Sequence, residues 1–198
     1  MTGKIATTTA RIIKTLYRNG EPNKAVLADL RSAATVTSQR AQGVWPIMMA
    51  NLERYQLSRD GVPTSAEVAV YAALRFYAIQ QQGQTQLVYE SAENGNRQAF
   101  FSALAQLRAQ EETRVALDRR VQPLLATTNP TSVINGLAQL VKILKANDRQ
   151  QKIDYAWLAQ DLYGLQASYE QANRVRLRWG QQYFWIKQAT TKNEGAQN

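Results

Sequence analysis

The sequence predicts an all-α fold: two small helical bundles joined by a linker, with about eight to nine helices. Three observations predict it. Apolar residues recur at helical spacing in almost every segment, Gln and Ala are abundant, and Val/Ile/Thr alternation over strand length is rare. Ile5, Ile12, Ile13, Leu16 and Tyr17 form a first helix that stops near Asn19-Gly20. Asn23 caps a second, with Val26, Leu27 and Leu30 on one face and Gly20-Glu-Pro22 as the turn before it. Val44-Trp-Pro-Ile-Met-Met-Ala-Asn-Leu52 is a third, with Pro46 tolerated in the first turn. After a polar turn holding Asp60-Gly61 and Pro63, Thr64-Ser-Ala-Glu67 is a capping box. Val70, Tyr71, Leu74 and Ala78 then repeat at helical spacing through Gln81. Gly83 to Asn96 has two glycines and few hydrophobes, which marks a linker. Helices are expected beyond it at about 97–109, 112–127, 131–146, 154–167 and 171–189, with breaks at Asn129-Pro130 and Asn147-Asp148. The organisation expected is an N-terminal bundle over 1–82, a linker over 83–96, a C-terminal bundle over 97–190 and a frayed tail over 191–198.

Composition removes whole chemistries. The 198 residues contain no Cys and no His, which excludes disulfides, thiol nucleophiles, thiolate zinc sites, Ser-His-Asp triads and imidazole bases. The fifteen acidic residues are scattered, and the tightest pair, Glu111-Glu112, sits beside Arg108 and Arg114. Neither GxxxxGK[ST] nor GxGxxG occurs. A non-enzymatic protein with no cofactor and no metal is therefore expected. No apolar stretch approaches the roughly 20 residues that span a bilayer. Met1-Thr-Gly-Lys-Ile5 begins no signal-peptide apolar region. A cytoplasmic protein with no membrane partner follows as the expectation.

The net charge is +9, from 24 basic and 15 acidic residues. Residues 1–100 contribute +4 and residues 101–198 contribute +5, so the excess belongs to the folded body and not to a tail. Such a body attracts polyanions, nucleic acid first. Lys142 and Lys145 flank the apolar stripe Val133, Leu137, Leu140, Val141 and Leu144; Arg149 and Lys152 follow beyond the expected helix end. Phosphate contact is one use of these lysines, and solvated charge near a helix C-terminus is the other. Arg119-Arg120 stands off the stripe Leu117, Val121 and Leu124, and suits either phosphate contact or a tertiary ion pair. Arg174-Val-Arg-Leu-Arg-Trp179 alternates like a strand, but its helical surroundings leave such a strand nothing to pair with. Read as a helix, it buries Val175 and Trp179, shares that face with Ile186 and with Gln182 or Tyr183, and sets Arg174 and Arg178 at i, i+4 on another. Its tryptophans are read as core in preference to base-stacking platforms.

Several segments stand in a telling order: Ala25-Val-Leu-Ala-Asp-Leu-Arg31, Val44-Trp-Pro46, Leu74-Arg-Phe-Tyr-Ala-Ile-Gln-Gln81, Ser102-Ala-Leu-Ala-Gln-Leu107, Leu117-Asp-Arg-Arg-Val121 and Leu137-Ala-Gln-Leu-Val-Lys-Ile-Leu144. Ile153-Asp-Tyr155, Leu158-Ala-Gln-Asp-Leu-Tyr163 and Arg174-Val-Arg-Leu-Arg-Trp-Gly180 complete the set. Taken in order, from about 24 to 187, they resemble the CasB family, the small subunit of the type I-E CRISPR surveillance complex Cascade. Members often carry a histidine where this chain has Gln80, and some place more arginines on the helix after Pro130. The resemblance implies a two-bundle helical protein present as two copies in Cascade. It implies contact with guide RNA, target DNA and other Cascade subunits, no sequence preference, and stabilisation of the R-loop in antiviral defence. Arg31, Arg97, Arg119, Arg120, Lys142, Lys145, Arg149, Arg174 and Arg178 are the expected nucleic-acid contacts, Arg31 partly on the family's basic position after Asn23. The competing expectation is a helical scaffold that docks protein partners through its basic faces.

Overall fold

The computed structural model describes residues 3–91 and 98–185. Among them the fold is all-α, with nine α-helices and one two-residue hairpin. Helix α1 (Lys4–Leu16) buries Ile5, Ile12, Ile13 and Leu16. It ends where Asn19 and Gly20 take positive φ of 55° and 80°, which folds β1 (Tyr17–Arg18) back on β2 (Glu21–Pro22). The turn was legible; strands of two residues carry no period. Asn23 caps α2 (Lys24–Ser32) by accepting from Val26 N at 3.2 Å. Helix α3 (Trp45–Asn51) carries its proline in the first turn. Thr64 and Glu67 close the expected capping box at the start of α4 (Ser65–Gln81): Thr64 N donates to Glu67 Oε2 at 2.7 Å and Glu67 N to Thr64 Oγ1 at 3.1 Å. Next come α5 (Phe100–Arg108), α6 (Glu111–Ala126) and α7 (Pro130–Asn147), then α8 (Tyr155–Leu165) and α9 (Tyr169–Phe184). Side chains of Asn129, Asp154 and Ser168 cap α7, α8 and α9. The alternating Arg174–Trp179 run is helical, as its surroundings required. No helix of the described residues is long and apolar enough to cross a membrane.

Helix α4 is apolar on nearly all sides, from Ala66 to Ile79, and a helix of that kind has to lie inside the molecule. It packs against α1, α2, α7 and α8. Helix α8, from the second half of the chain, lies mainly on α1 and α4 and then on α9. One hydrophobic core therefore runs from Ile5 to Tyr183 across both halves of the sequence. Helices α6 and α7 approach closely at Gly136, where a Cβ would meet Leu124 Cδ1 at 2.8 Å.

The segment after α4 is anchored. Val88 and Tyr89 are buried, and Tyr89 forms a parallel bridge with Ile153 just before α8. Ile153 N donates to Val88 O at 3.0 Å, and Asp154 N to Gln98 O at 3.0 Å. Two buried glutamines at the end of α4 organise this junction. Gln80 donates to Gln151 O and accepts from the Tyr155 hydroxyl. Gln81 Nε2 donates to Gln84 O at 3.1 Å and Gln86 O at 2.8 Å, while its Oε1 accepts from Val88 N at 3.1 Å. Truncating Gln81 leaves the buried Val88 N–H without this acceptor and frees two partly exposed carbonyls. Gln81→Ala is expected to lower unfolding free energy by about 1–2 kcal/mol, read as a reduced urea midpoint at unchanged m.

Candidate nucleic-acid interface

Helices α2 and α7 both lie on α4, and the three form a cleft of about 440 Å³. From α2 comes Arg31, in the last turn. From α4 come Arg75 and Ile79, one turn apart, and Gln82 just beyond the helix. From α7 come Lys142, Lys145 and Ala146, and Arg149 follows past the helix end. Among the described residues, five cations line this groove and no carboxylate does. An adjoining hollow shares Arg31 and Gln82 and adds Lys24 and Glu21. Walls of one sign around a low-dielectric cleft focus potential toward a negatively charged ligand.

The cations are not equivalent. Lys142 and Arg149 are exposed and Arg31 half-buried. Lys145 Nζ donates to Ile79 O at 2.9 Å and Gln82 Oε1 at 3.2 Å, which places a charge on a last-turn carbonyl of α4. Burial, with the charges of Arg31 and Arg149 beside it, pulls the Lys145 ammonium below the ordinary lysine value. Arg75 goes deepest. Its Nε and Nη1 are buried with no acceptor among the described residues, and burial lowers its pKa from the usual guanidinium range.

Four expected contacts, Arg31, Lys142, Lys145 and Arg149, thus meet in one groove, although they come from two helices and a loop. Arg149 joins them even though α7 stops at Asn147. Arg75 was not anticipated, because a single arginine within an apolar helix gives no pattern. Arg119 and Arg120 stand exposed on α6 as expected, and neither pairs with a carboxylate among the described residues. Arg120 Nη1 donates back to Ala116 O at 2.9 Å. Asp118, between Leu117 and this pair, turns instead to Arg108 on α5. Arg97 lies outside the described residues.

The basic pair expected on α9 is otherwise engaged. Arg174 pairs with Glu170 at 2.5 Å, one turn earlier and in solvent. Arg178 pairs at 2.5 Å with Asp161 of α8, whose carboxylate is buried. The same carboxylate accepts from Trp179 Nε1 at 2.7 Å, and the Trp179 ring stacks on Phe101 with centroids 4.7 Å apart. Trp179 is core, as expected, and shares its buried face with Val175 and Tyr183; Ile186 lies outside the described residues. Trp185 is not core: it is 68% exposed, at a groove between α5 and α9 that Arg178, Gln106 and Gln181 also line. The expectation treated the two tryptophans alike, but α9 ends at Phe184, before Trp185 can continue the buried stripe.

Asp118 also sets an acid limit on stability. Arg108 holds it bidentately at 2.8 and 3.2 Å, and the Tyr183 hydroxyl donates to it at 2.8 Å. The Arg108 hydrogen bond draws its carboxyl below the usual 3.8. A depressed folded pKa adds stability that is present above the unfolded value and lost as pH falls through the folded one. Urea midpoints should therefore fall below about pH 4, and Asp118→Asn should flatten that acid limb.

The comparisons agree with this architecture. A sequence model of the family described as CRISPR-associated protein Cse2 matches residues 26–184. The fold is similar to that of CasB from Thermobifida fusca, with a TM-score of 0.69 and 23% sequence identity, covering 92% of this chain and 99% of that one. Among curated proteins, none matches the sequence. A match over most of the chain is decisive: the protein belongs to the CRISPR-associated Cse2 family and is, by that membership, a Cascade subunit in CRISPR defence.

Proposed function

We propose that this chain is the non-catalytic subunit that holds nucleic acid in Cascade without reading its sequence. It contacts the guide RNA–target DNA hybrid and the displaced strand and so stabilises the R-loop. The observation that carries this reading is the groove of five cations with no carboxylate among the described residues. Arg31, Lys142, Lys145 and Arg149 take the backbone there. Arg119 and Arg120 supply a second basic surface, and Arg174 and Arg178 contribute less because each already holds an acid. Exchange of a DNA duplex for a hybrid is nearly balanced in free energy, so a few backbone contacts suffice to decide whether an R-loop persists. A second copy of the chain and other Cascade subunits complete the assembly in this reading.

The test is binding of the isolated chain to single-stranded oligonucleotides of several sequences across a salt series. Log affinity should fall linearly with log salt, with a slope near 0.7 per phosphate contact and little difference between sequences. No measurable binding at 50 mM salt would count decisively against it. Arg119→Gln/Arg120→Gln should reduce the slope by about 1.4 while leaving the thermal midpoint within a degree or two. A scaffold role draws support from a separate feature, the exposed Tyr169, Leu177, Phe184 and Trp185 on and just after α9. Apolar surface of this kind suits a protein neighbour. Leu177→Ser should then weaken co-purification with other Cascade subunits and leave oligonucleotide affinity unchanged.

A further inference from the structure

Arg75 is an uncompensated charge. A guanidinium stays ionised across the accessible pH range, and a buried ion is tolerated when acceptors or an opposite charge meet it. Here two of its nitrogens are buried and meet neither among the described residues, while the side chain also lines the cleft. The Tyr71 hydroxyl donates to Ala33 O at 3.0 Å and carries no negative charge at neutral pH. Around the same cleft stand four further cations, and Lys145 is fixed in place by Ile79 O and Gln82 Oε1. Ile79 and Ala146 supply apolar wall, which strengthens the field at the floor of the groove. What the site lacks is a compact oxyanion with several acceptor oxygens. A cleft of about 440 Å³ has room for one tetrahedral phosphate and the sugar atoms that carry it.

We propose that Arg75 anchors a discrete oxyanion subsite at the floor of the groove, which takes one phosphodiester phosphate of the bound strand, with Arg31, Lys142 and Arg149 around it. This rests on reading the groove as the polyanion site and adds a fixed register point to it. Most phosphate contacts on a basic surface are exchangeable; a half-buried guanidinium at the floor of a groove, with two nitrogens shut off from water, is less so. Inorganic phosphate should occupy the subsite when nucleic acid is absent.

The experiment is a thermal-shift titration of the full chain with inorganic phosphate, with ionic strength held constant by chloride. The wild type should gain several degrees with a saturable, single-site midpoint. Arg75→Met removes the charge and keeps an unbranched side chain. It should melt at or above the wild-type temperature in chloride and lose the phosphate response. Its affinity for a short oligothymidylate at 0.1 M salt should fall roughly fivefold, with the salt slope smaller by about 0.7. Exposed Lys142→Met serves as a second variant that cannot disturb the core, and should shift the phosphate midpoint to higher concentration. An equal phosphate response in wild type and Arg75→Met, or one that never saturates, overturns the subsite. If oligothymidylate binding nonetheless depends on Arg31 and Arg149, the groove reading stands and the subsite alone is wrong. If the wild type binds no oligonucleotide, the groove reading falls, and the phosphodiester occupant with it.

Discussion

Reversing three groove charges together, as Arg31→Glu/Lys142→Glu/Arg149→Glu, is expected to lower single-strand affinity at least a hundredfold at 0.1 M salt. The magnitude follows from counterion release. At a slope near 0.7 per contact, each phosphate contact is worth roughly fivefold at that salt concentration, and three act together. Reversal adds repulsion that simple removal does not. The slope of log affinity against log salt should drop by about two units, and the loss should shrink as salt rises. All three side chains are exposed or half-buried, so the variant should fold with a circular dichroism spectrum like that of the wild type. In reconstituted Cascade the same substitutions should shorten R-loop lifetime more than they slow its formation. A triple variant that bound with wild-type affinity would remove the groove from consideration and leave Arg119 and Arg120 as the surface to examine.

Asp161→Ala should be the most damaging single substitution for stability. Asp161 is 4% exposed and accepts from both Arg178 and Trp179. Removing it leaves the Trp179 N–H buried without this acceptor and Arg178 without its counterion. Breaking a buried pair from one side costs about 3–5 kcal/mol. Arg178 has a 40% exposed side chain and turns partly to water, which brings the expected loss to about 3 kcal/mol. For a chain of this size that lowers the thermal midpoint by roughly 6–12 °C. Glu170→Ala is the matched control. It breaks the other arginine pair of α9, but both partners there are more than 70% exposed, so the cost should stay below about 0.5 kcal/mol. Equal midpoints for the two variants would show that the Asp161 carboxylate does not hold α8 to α9.

Local signals were the legible ones. Asn23 before α2 and the Thr64/Glu67 box before α4 satisfy helix-end donors within three or four residues, so their geometry is written in adjacent positions. The apolar face of α7 told where Lys142 and Lys145 must stand, because period alone places them. The pairing of Arg178 is not legible, for the opposite reason. Its partner Asp161 is seventeen positions away on another helix, and no periodicity carries that information. Arg75 carries no sequence signal, because α4 is buried on almost every side and a single charge among apolar residues reads as a solvent-facing gap. The Gly83–Asn96 segment reads as a linker from its polarity; two of its apolar residues, Val88 and Tyr89, tie its first part to Ile153, a long-range contact that no local pattern carries.

The position of α8 has a consequence for how the protein is made. Helices α1 and α4 emerge first from the ribosome, with the faces that α8 covers still bare. At about 5–20 residues per second, the roughly 80 residues from the end of α4 to the end of α8 take on the order of 4–16 s to synthesise. For that interval the nascent chain is an incomplete core, open to protease and to chaperone. Limited proteolysis of stalled chains should show the first half becoming resistant only once residue 165 has cleared the exit tunnel. Fragments ending near residue 91 should need α8, supplied on a second polypeptide, to become resistant at all.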